Sequence, residues 1–111
     1  MGSETTPAPA IAIVTYIPKR RPADAAALRA LLDAAAPAYR AAPGLIRKYF
    51  LDGDARGAGP GRAGGVYVWE SRAAGEAFFA GPWAERLALA ADDIRIDWFT
   101  APLIVEVGRP D

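Results

Sequence analysis

Four segments with the composition of β-strands alternate with helical segments, and this order constrains the fold more than any other feature of the sequence. Ile11 to Ile17 is rich in β-branched residues and predicts the first strand. Leu45 to Leu51 and Val66 to Glu70 predict two more strands, joined by a long glycine-rich loop. The last apolar segment, Ile94 to Val107, contains Pro102, so we expect either an edge strand or two segments joined at a bulge.

Two helical segments separate these strands. Asp24 is a good N-cap, and apolar residues at helical spacing follow it to about Arg40. Ser71 caps a second helix, which we expect to end near Ala80 and to resume at Pro82.

The order β-α-β-β-α-β predicts an α+β fold, a ferredoxin-like sandwich of four antiparallel strands with the helices on one face. We expect residues 1–9 to form a disordered tail and residues 10–108 to form a single domain. The other face of the sheet is left uncovered. An exposed apolar face of that size favours a homodimer through the sheet face.

The composition excludes several classes of site. The chain has no Cys and no His, which removes thiolate nucleophiles, disulfides and the commonest catalytic base and metal ligand. Three acidic residues, Asp92, Asp93 and Asp97, are interpreted as a solvated turn, and no metal is expected. Thirteen basic and thirteen acidic side chains cancel, so nucleic acid is not expected as a partner. The early apolar run is too short to span a membrane and follows an acidic leader, so we expect a cytoplasmic protein.

Short motifs around the second and third strands resemble a known family. Val68-Trp69-Glu70-Ser71, together with Pro43-Gly44-Leu45, resembles the antibiotic-biosynthesis monooxygenases of the dimeric α/β-barrel superfamily. The wider run from Ala42 to Phe79 is more similar to the YdhR-like monooxygenase branch. The resemblance implies two ferredoxin-like subunits packed sheet to sheet, each with a pocket between its sheet and its helices. The tryptophan of the family motif matches Trp69, and the two-residue period of a strand turns Tyr67 the same way.

The resemblance also implies an activity. Its cofactor-free members deprotonate an electron-rich aromatic or quinol-type compound, whose anion then reduces dioxygen, so no cofactor is expected. Members that degrade haem pair the tryptophan with an asparagine and a histidine, and this chain has neither residue type. On this basis the predicted catalytic residues are Trp69 and Tyr67. The predicted substrate-binding residues are Tyr16, Lys48, Phe50, Phe78 and Trp83.

Several alternatives stay open at this point. Strand alternation sends Arg47 and Lys48 to opposite faces, so only one of them can reach a pocket and hold a phenolate there. The chain could also be a non-catalytic homodimer that binds a small apolar or aromatic ligand. Residues 59–64 match the dinucleotide pattern G-x-G-x-x-G, but they open a strand instead of a helix. We interpret them as a hairpin tip or a flap over a pocket mouth.

Overall fold

The computed structural model describes residues 8–53 and 61–108. Along the chain the elements are β1 (Ala10–Pro18), α1 (Ala25–Arg40), β2 (Leu45–Asp52), β3 (Ala63–Trp69), α2 (Arg72–Phe79), α3 (Pro82–Ala90) and β4 (Ala91–Thr100). The strands form one antiparallel sheet in the order β2-β3-β1-β4. The predicted ferredoxin-like α+β fold is therefore confirmed. The predicted tail lies almost entirely outside the described residues. So do residues 54–60 of the glycine-rich loop, which include residues 59 and 60 of the dinucleotide-like pattern.

Local signals start the helices where the sequence indicates. An Asp24 carboxylate oxygen accepts a hydrogen bond from the amide of Ala27 at 2.8 Å. The Ser71 hydroxyl oxygen accepts one from the amide of Ala74 at 3.1 Å. Both bonds satisfy amides that have no partner inside the first helical turn. Pro82 opens α3, where its missing N–H costs nothing.

The last strand differs from the prediction. β4 begins at Ala91, not at Ile94, and ends at Thr100, before Pro102. Residues 101–108 are apolar but form no regular element, and Leu103 and Val107 are about four-fifths exposed. Pro102 cannot donate a ladder hydrogen bond, and no described strand lies alongside this segment to extend the sheet.

The two faces of the sheet differ in what covers them. The helix-covered face holds the buried side chains, among them Val14, Tyr67 and Trp69. The outer face carries Ile11, Ile13, Val66, Val68 and Phe99, and no described helix packs on it. Among the described helices, none combines the length and apolar content that crossing a bilayer requires.

Candidate functional site

The strand register decides which polar side chain of β2 faces the helices. Lys48 lies directly opposite Tyr67, and Tyr67 lies opposite Ala12 of β1. Opposed residues of antiparallel strands share a face, so Lys48 lies on the helix-covered face. Arg47 lies on the outer face, where it donates a hydrogen bond of 3.1 Å to the Tyr49 hydroxyl.

The Lys48 ammonium nitrogen is surrounded by aromatic rings. Nζ lies 3.2 Å from the ring centroid of Tyr39, 4.0 Å from that of Phe50 and 4.5 Å from that of Tyr67. Among the described residues, no carboxylate forms an ion pair with it. The lysine is therefore held by ring faces instead of by an opposite charge.

This environment changes the acidity of Lys48. Desolvation by burial lowers its pKa to about 7. The ring faces act in the opposite direction, because their quadrupoles attract the ammonium form. Near neutral pH, both the amine and the ammonium forms of Lys48 are accessible.

A glycine on the neighbouring strand makes room for this lysine. A Cβ atom at Gly65 would lie 2.9 Å from Lys48 Cε and 3.2 Å from Tyr67 Cε1. Real Cβ atoms essentially never show the first of these distances, and the second is tighter than nine in ten real contacts. Gly65 therefore allows Lys48 and Tyr67 to occupy their present positions.

Lys48 opens onto a cavity of about 420 Å³ between α1 and β2, which we call the Lys48 groove. It is lined by Ala36, Tyr39, Arg40, Leu45, Ile46, Arg47, Lys48 and Phe50. The groove thus joins apolar and aromatic walls to the cationic residues Arg40 and Lys48. It can hold a flat molecule with a negatively charged oxygen next to Nζ.

Trp69, the residue that carries the family resemblance, lies deep in the core. Its side chain is fully buried, and its ring is stacked parallel to Tyr67 with centroids 6.0 Å apart. Phe78 and Phe79 cover it at 5.5 and 5.7 Å. A Cβ at Gly75 would lie 2.8 Å from Trp69 Nε1, so the glycine lets α2 pack onto the indole. Trp69 Nε1 finds no hydrogen-bond acceptor among the described residues.

Two further cavities flank α1. One, of about 190 Å³, lies between α1 and the sheet and has Tyr16, Phe50, Arg20 and Arg21 in its lining; we call it the basic-rim pocket. The other, of about 490 Å³, lies between α1 and α3 and has Tyr39, Phe78, Trp83 and Leu87 in its lining; we call it the interhelix cavity. The helix above them has no fully buried residue.

The predicted site residues therefore fall into several places. Lys48 and Phe50 line the Lys48 groove, Tyr16 and Phe50 line the basic-rim pocket, and Phe78 and Trp83 line the interhelix cavity. Tyr67 and Trp69 line none of the three, although Tyr67 contacts Lys48 from below. The structure does not gather them around one chamber.

Sequence reasoning missed Tyr39. Its ring lies closest to Lys48 Nζ and also packs edge-on against Phe50 and Tyr67. Tyr39 recurs at helical spacing with the leucines of α1, but nothing in that spacing says which strand this face of the helix meets. Tyr39 borders both the Lys48 groove and the interhelix cavity.

The acidic residues at the start of β4 form ion pairs at the protein surface. Asp93 pairs with Arg62 at 2.9 Å and with Arg95 at 3.1 Å, and Asp92 lies 4.0 Å from Lys19. Within residues 8–53 and 61–108, no three or more acidic side chains are placed to hold a metal ion together.

Comparison with known proteins places the fold. The sequence matches no protein-family model, and it has no match among curated proteins. Similar solved structures include a protein of unknown function from Nitrosomonas europaea, with a TM-score of 0.64 and 19% identity over 95% of this chain and all of that one. They also include SnoaB, a cofactor-independent oxygenase from Streptomyces nogalater, with a TM-score of 0.62 and 17% identity over 87% of this chain and 96% of that one.

A third similar structure is a heme-degrading protein from Mycobacterium tuberculosis, with a TM-score of 0.59 and 22% identity over 90% of this chain and 99% of that one. At these identities the likeness shows a shared fold. This chain therefore shares the ferredoxin-like fold of SnoaB and the heme-degrading protein.

Proposed function

We propose that this chain is a cofactor-independent oxygenase of the YdhR-like kind, in which Lys48 is the base and a small hydrophobic aromatic or quinol-type compound is the substrate. The observation that carries the proposal is the position of Lys48 Nζ. It lies against the rings of Tyr39, Phe50 and Tyr67 and lines the Lys48 groove. The fold shared with SnoaB supports the reaction class.

The first step is removal of a proton from the substrate. With its pKa lowered to about 7, Lys48 is partly unprotonated at neutral pH and takes a proton from a phenolic hydroxyl or from an activated carbon beside it. The resulting ammonium faces the new anion in a partly desolvated groove. Its attraction to that anion is stronger there than in water and favours the deprotonated substrate.

The second step is oxidation of the substrate by dioxygen. The anion transfers one electron to O₂, and the two radicals combine into a peroxide anion. The Lys48 ammonium returns its proton to this anion, and the resulting hydroperoxide loses water. For an anthrone-type substrate the sum is CH₂ + O₂ → C=O + H₂O. The carbon is oxidised, dioxygen is reduced, and the substrate supplies all the electrons.

In this proposal Tyr67 and Trp69 support the base and do not contact the substrate. Tyr67 supports the lysine with its ring face, and Trp69 stacks behind Tyr67. Tyr16, Phe78 and Trp83 line neighbouring cavities, where they hold the shape of the space beneath α1.

Haem does not fit the Lys48 groove. Haem iron is held in proteins by His, Cys, Met or Tyr. The chain has no His or Cys, and its one Met is residue 1. The tyrosine in the Lys48 groove, Tyr39, has its ring face in contact with Lys48 Nζ. The proposed chemistry therefore runs without haem.

The second candidate function is binding without catalysis, by a homodimer that holds a small apolar or aromatic ligand. The observation that favours it is the position of Trp69, which is fully buried in the core and lines none of the cavities beside α1. A residue so placed stabilises the fold but cannot touch a ligand.

For either function we propose a homodimer through the outer face of the sheet. Ile11, Ile13, Val66 and Val68 form the centre of that face, and Phe99 beside them is 54% exposed. Apolar residues of segment 101–108, among them Leu103 and Val107, are exposed as well. A second copy of the same chain would cover both, and an apolar face of this kind is uncommon on a monomer.

Oxygen uptake tests the proposal. Purified protein is mixed with anthrone or a hydroquinone, and dioxygen consumption is followed with an electrode. We expect uptake that scales with protein concentration and falls at least tenfold in Lys48→Met and in Lys48→Arg, since arginine keeps the charge but cannot accept a proton. Lys19→Met, which removes the other lysine of the chain, is the matched control and should keep full activity.

Tight retention of the substrate without oxygen uptake would favour the non-catalytic binder.

A further inference from the structure

The strongest unassigned feature outside the Lys48 groove is the basic-rim pocket. Its interior is mostly apolar, built from leucines of α1, Leu87 of α3 and the rings of Tyr16 and Phe50. Its volume is about 190 Å³. An apolar protein cavity of about 150 Å³ is large enough to bind benzene, so this one admits a single aromatic ring or a short alkyl chain.

The mouth of this pocket is charged. Arg20 and Arg21 belong to the only run of three basic residues in the chain, and both line the pocket together with Asp52. Asp52 neutralises Arg21, with Arg21 Nη2 and Asp52 Oδ1 3.2 Å apart. Two arginines and one aspartate leave the rim with one net positive charge. Within the part of the chain that the structure describes, Arg20 forms no ion pair.

Tyr16 adds a neutral donor inside the pocket. Burial, with a smaller contribution from Tyr39, raises the pKa of its phenol above the ordinary value, so the hydroxyl keeps its proton near neutral pH. A neutral phenol can donate a hydrogen bond to a bound anion.

We propose that the basic-rim pocket is a binding site for a small monoanionic carboxylate with an apolar tail, in which the tail enters beneath α1 and Arg20 binds the carboxylate. The guanidinium fork matches a carboxylate in a bidentate geometry. The single net charge at the rim favours a monoanion over a phosphate dianion. The site is separate from the Lys48 groove, and Phe50 is a wall common to both.

The test is binding of 3-phenylpropionate by isothermal titration calorimetry, with 3-phenylpropan-1-ol as the neutral probe of the same shape. We expect the carboxylate to bind at least tenfold more tightly than the alcohol, and Arg20→Glu to abolish that preference. Leu28→Trp, which fills the pocket, should block both probes. Lys48→Met should bind the carboxylate as the wild type does, which separates this site from the proposed oxygenase.

Equal binding of acid and alcohol would overturn the proposal, as would unchanged carboxylate affinity in a folded Arg20→Glu variant. Arg20 is exposed, so this variant should retain the circular dichroism of the wild type. If Leu28→Trp does not fold, the Arg20→Glu comparison decides the outcome alone. Loss of carboxylate binding in Lys48→Met would assign the ligand to the Lys48 groove and would also contradict the proposal.

Discussion

Lys48 and Tyr67 lie directly opposite each other on β2 and β3, with the lysine Nζ 4.5 Å from the centroid of the tyrosine ring. The pair faces the helices, and Tyr39 of α1 closes over the same nitrogen at 3.2 Å. An amine in such a place is costly to protonate, so part of it is unprotonated at neutral pH and available as a base. The proposed function and the pH dependence of the fold both depend on this arrangement.

The stability of the fold should depend on pH through Lys48. Its folded pKa is lowered to about 7, whereas an unfolded lysine titrates near 10.4, so between these values the unfolded chain binds more protons. Stability therefore rises with pH across this window, by at most about 1.4 kcal/mol per pH unit. Urea unfolding of the wild type and of Lys48→Met at pH 7 and pH 9.5 measures the difference. An equal pH response in both proteins would show that Lys48 does not carry it.

Replacing Gly65 by alanine should displace Lys48. The new Cβ would overlap Lys48 Cε, which can swing away, and would crowd Tyr67 Cε1 and the backbone carbonyl of Tyr49, where overpacking costs about 1–3 kcal/mol. We expect lower stability in urea and loss of oxygen uptake. Gly108→Ala is the control, since nothing lies within 4 Å of its Cβ. A Gly65→Ala protein with wild-type stability and activity would show that the close approach has no consequence.

Trp69 should contribute mainly to the stability of the fold. Its side chain is fully buried between Tyr67, Phe78 and Phe79, so Trp69→Ala should lower the free energy of unfolding by about 3–5 kcal/mol. Leu89→Ala, at a position 81% exposed, should change it by less than about 0.5 kcal/mol. Chemical denaturation measures both. A loss below about 1 kcal/mol for Trp69→Ala would mean that the indole is not packed as described.

The outer face of the sheet should hold a second copy of the chain. Phe99→Asp places a charge on this face at an exposed position, so it should yield monomers without unfolding the domain. Leu89 is more exposed than Phe99 but lies on α3, away from the sheet face. The Leu89→Asp variant should therefore remain dimeric. Sedimentation at micromolar concentration distinguishes the two. A wild type that sediments as a monomer would contradict the proposed interface.

The order of elements could be predicted because each rests on a local signal. Side chains alternate with a period of two in β1 and β3, apolar residues recur at helical spacing in α1, and Asp24 and Ser71 cap the helices where expected. The end of β4 could not be predicted from the sequence. The β-branched residues after Pro102 have the composition of a strand, and only the structure shows that no described strand pairs with them.

The site could be predicted only in part, for reasons of geometry. Strand alternation shows that Arg47 and Lys48 face opposite ways, but a register irregularity between Leu45 and Arg47 decides which one faces the helices. Strand alternation likewise predicts which face of the sheet Trp69 lies on, but not how deeply its side chain is buried. Tyr39 reaches Lys48 only because α1 packs over β2, a contact between elements that no local pattern encodes.

The acidity of Lys48 tests the central claim most directly. The chain has two lysines, so selective ¹³Cε labelling gives two resolvable NMR signals, and the Lys48→Arg variant assigns one by its disappearance. Titration from pH 5 to pH 11 should give a midpoint for Lys48 at about 7. A midpoint near the ordinary lysine value of about 10.4 would show a solvated ammonium, and Lys48 could not then be the base.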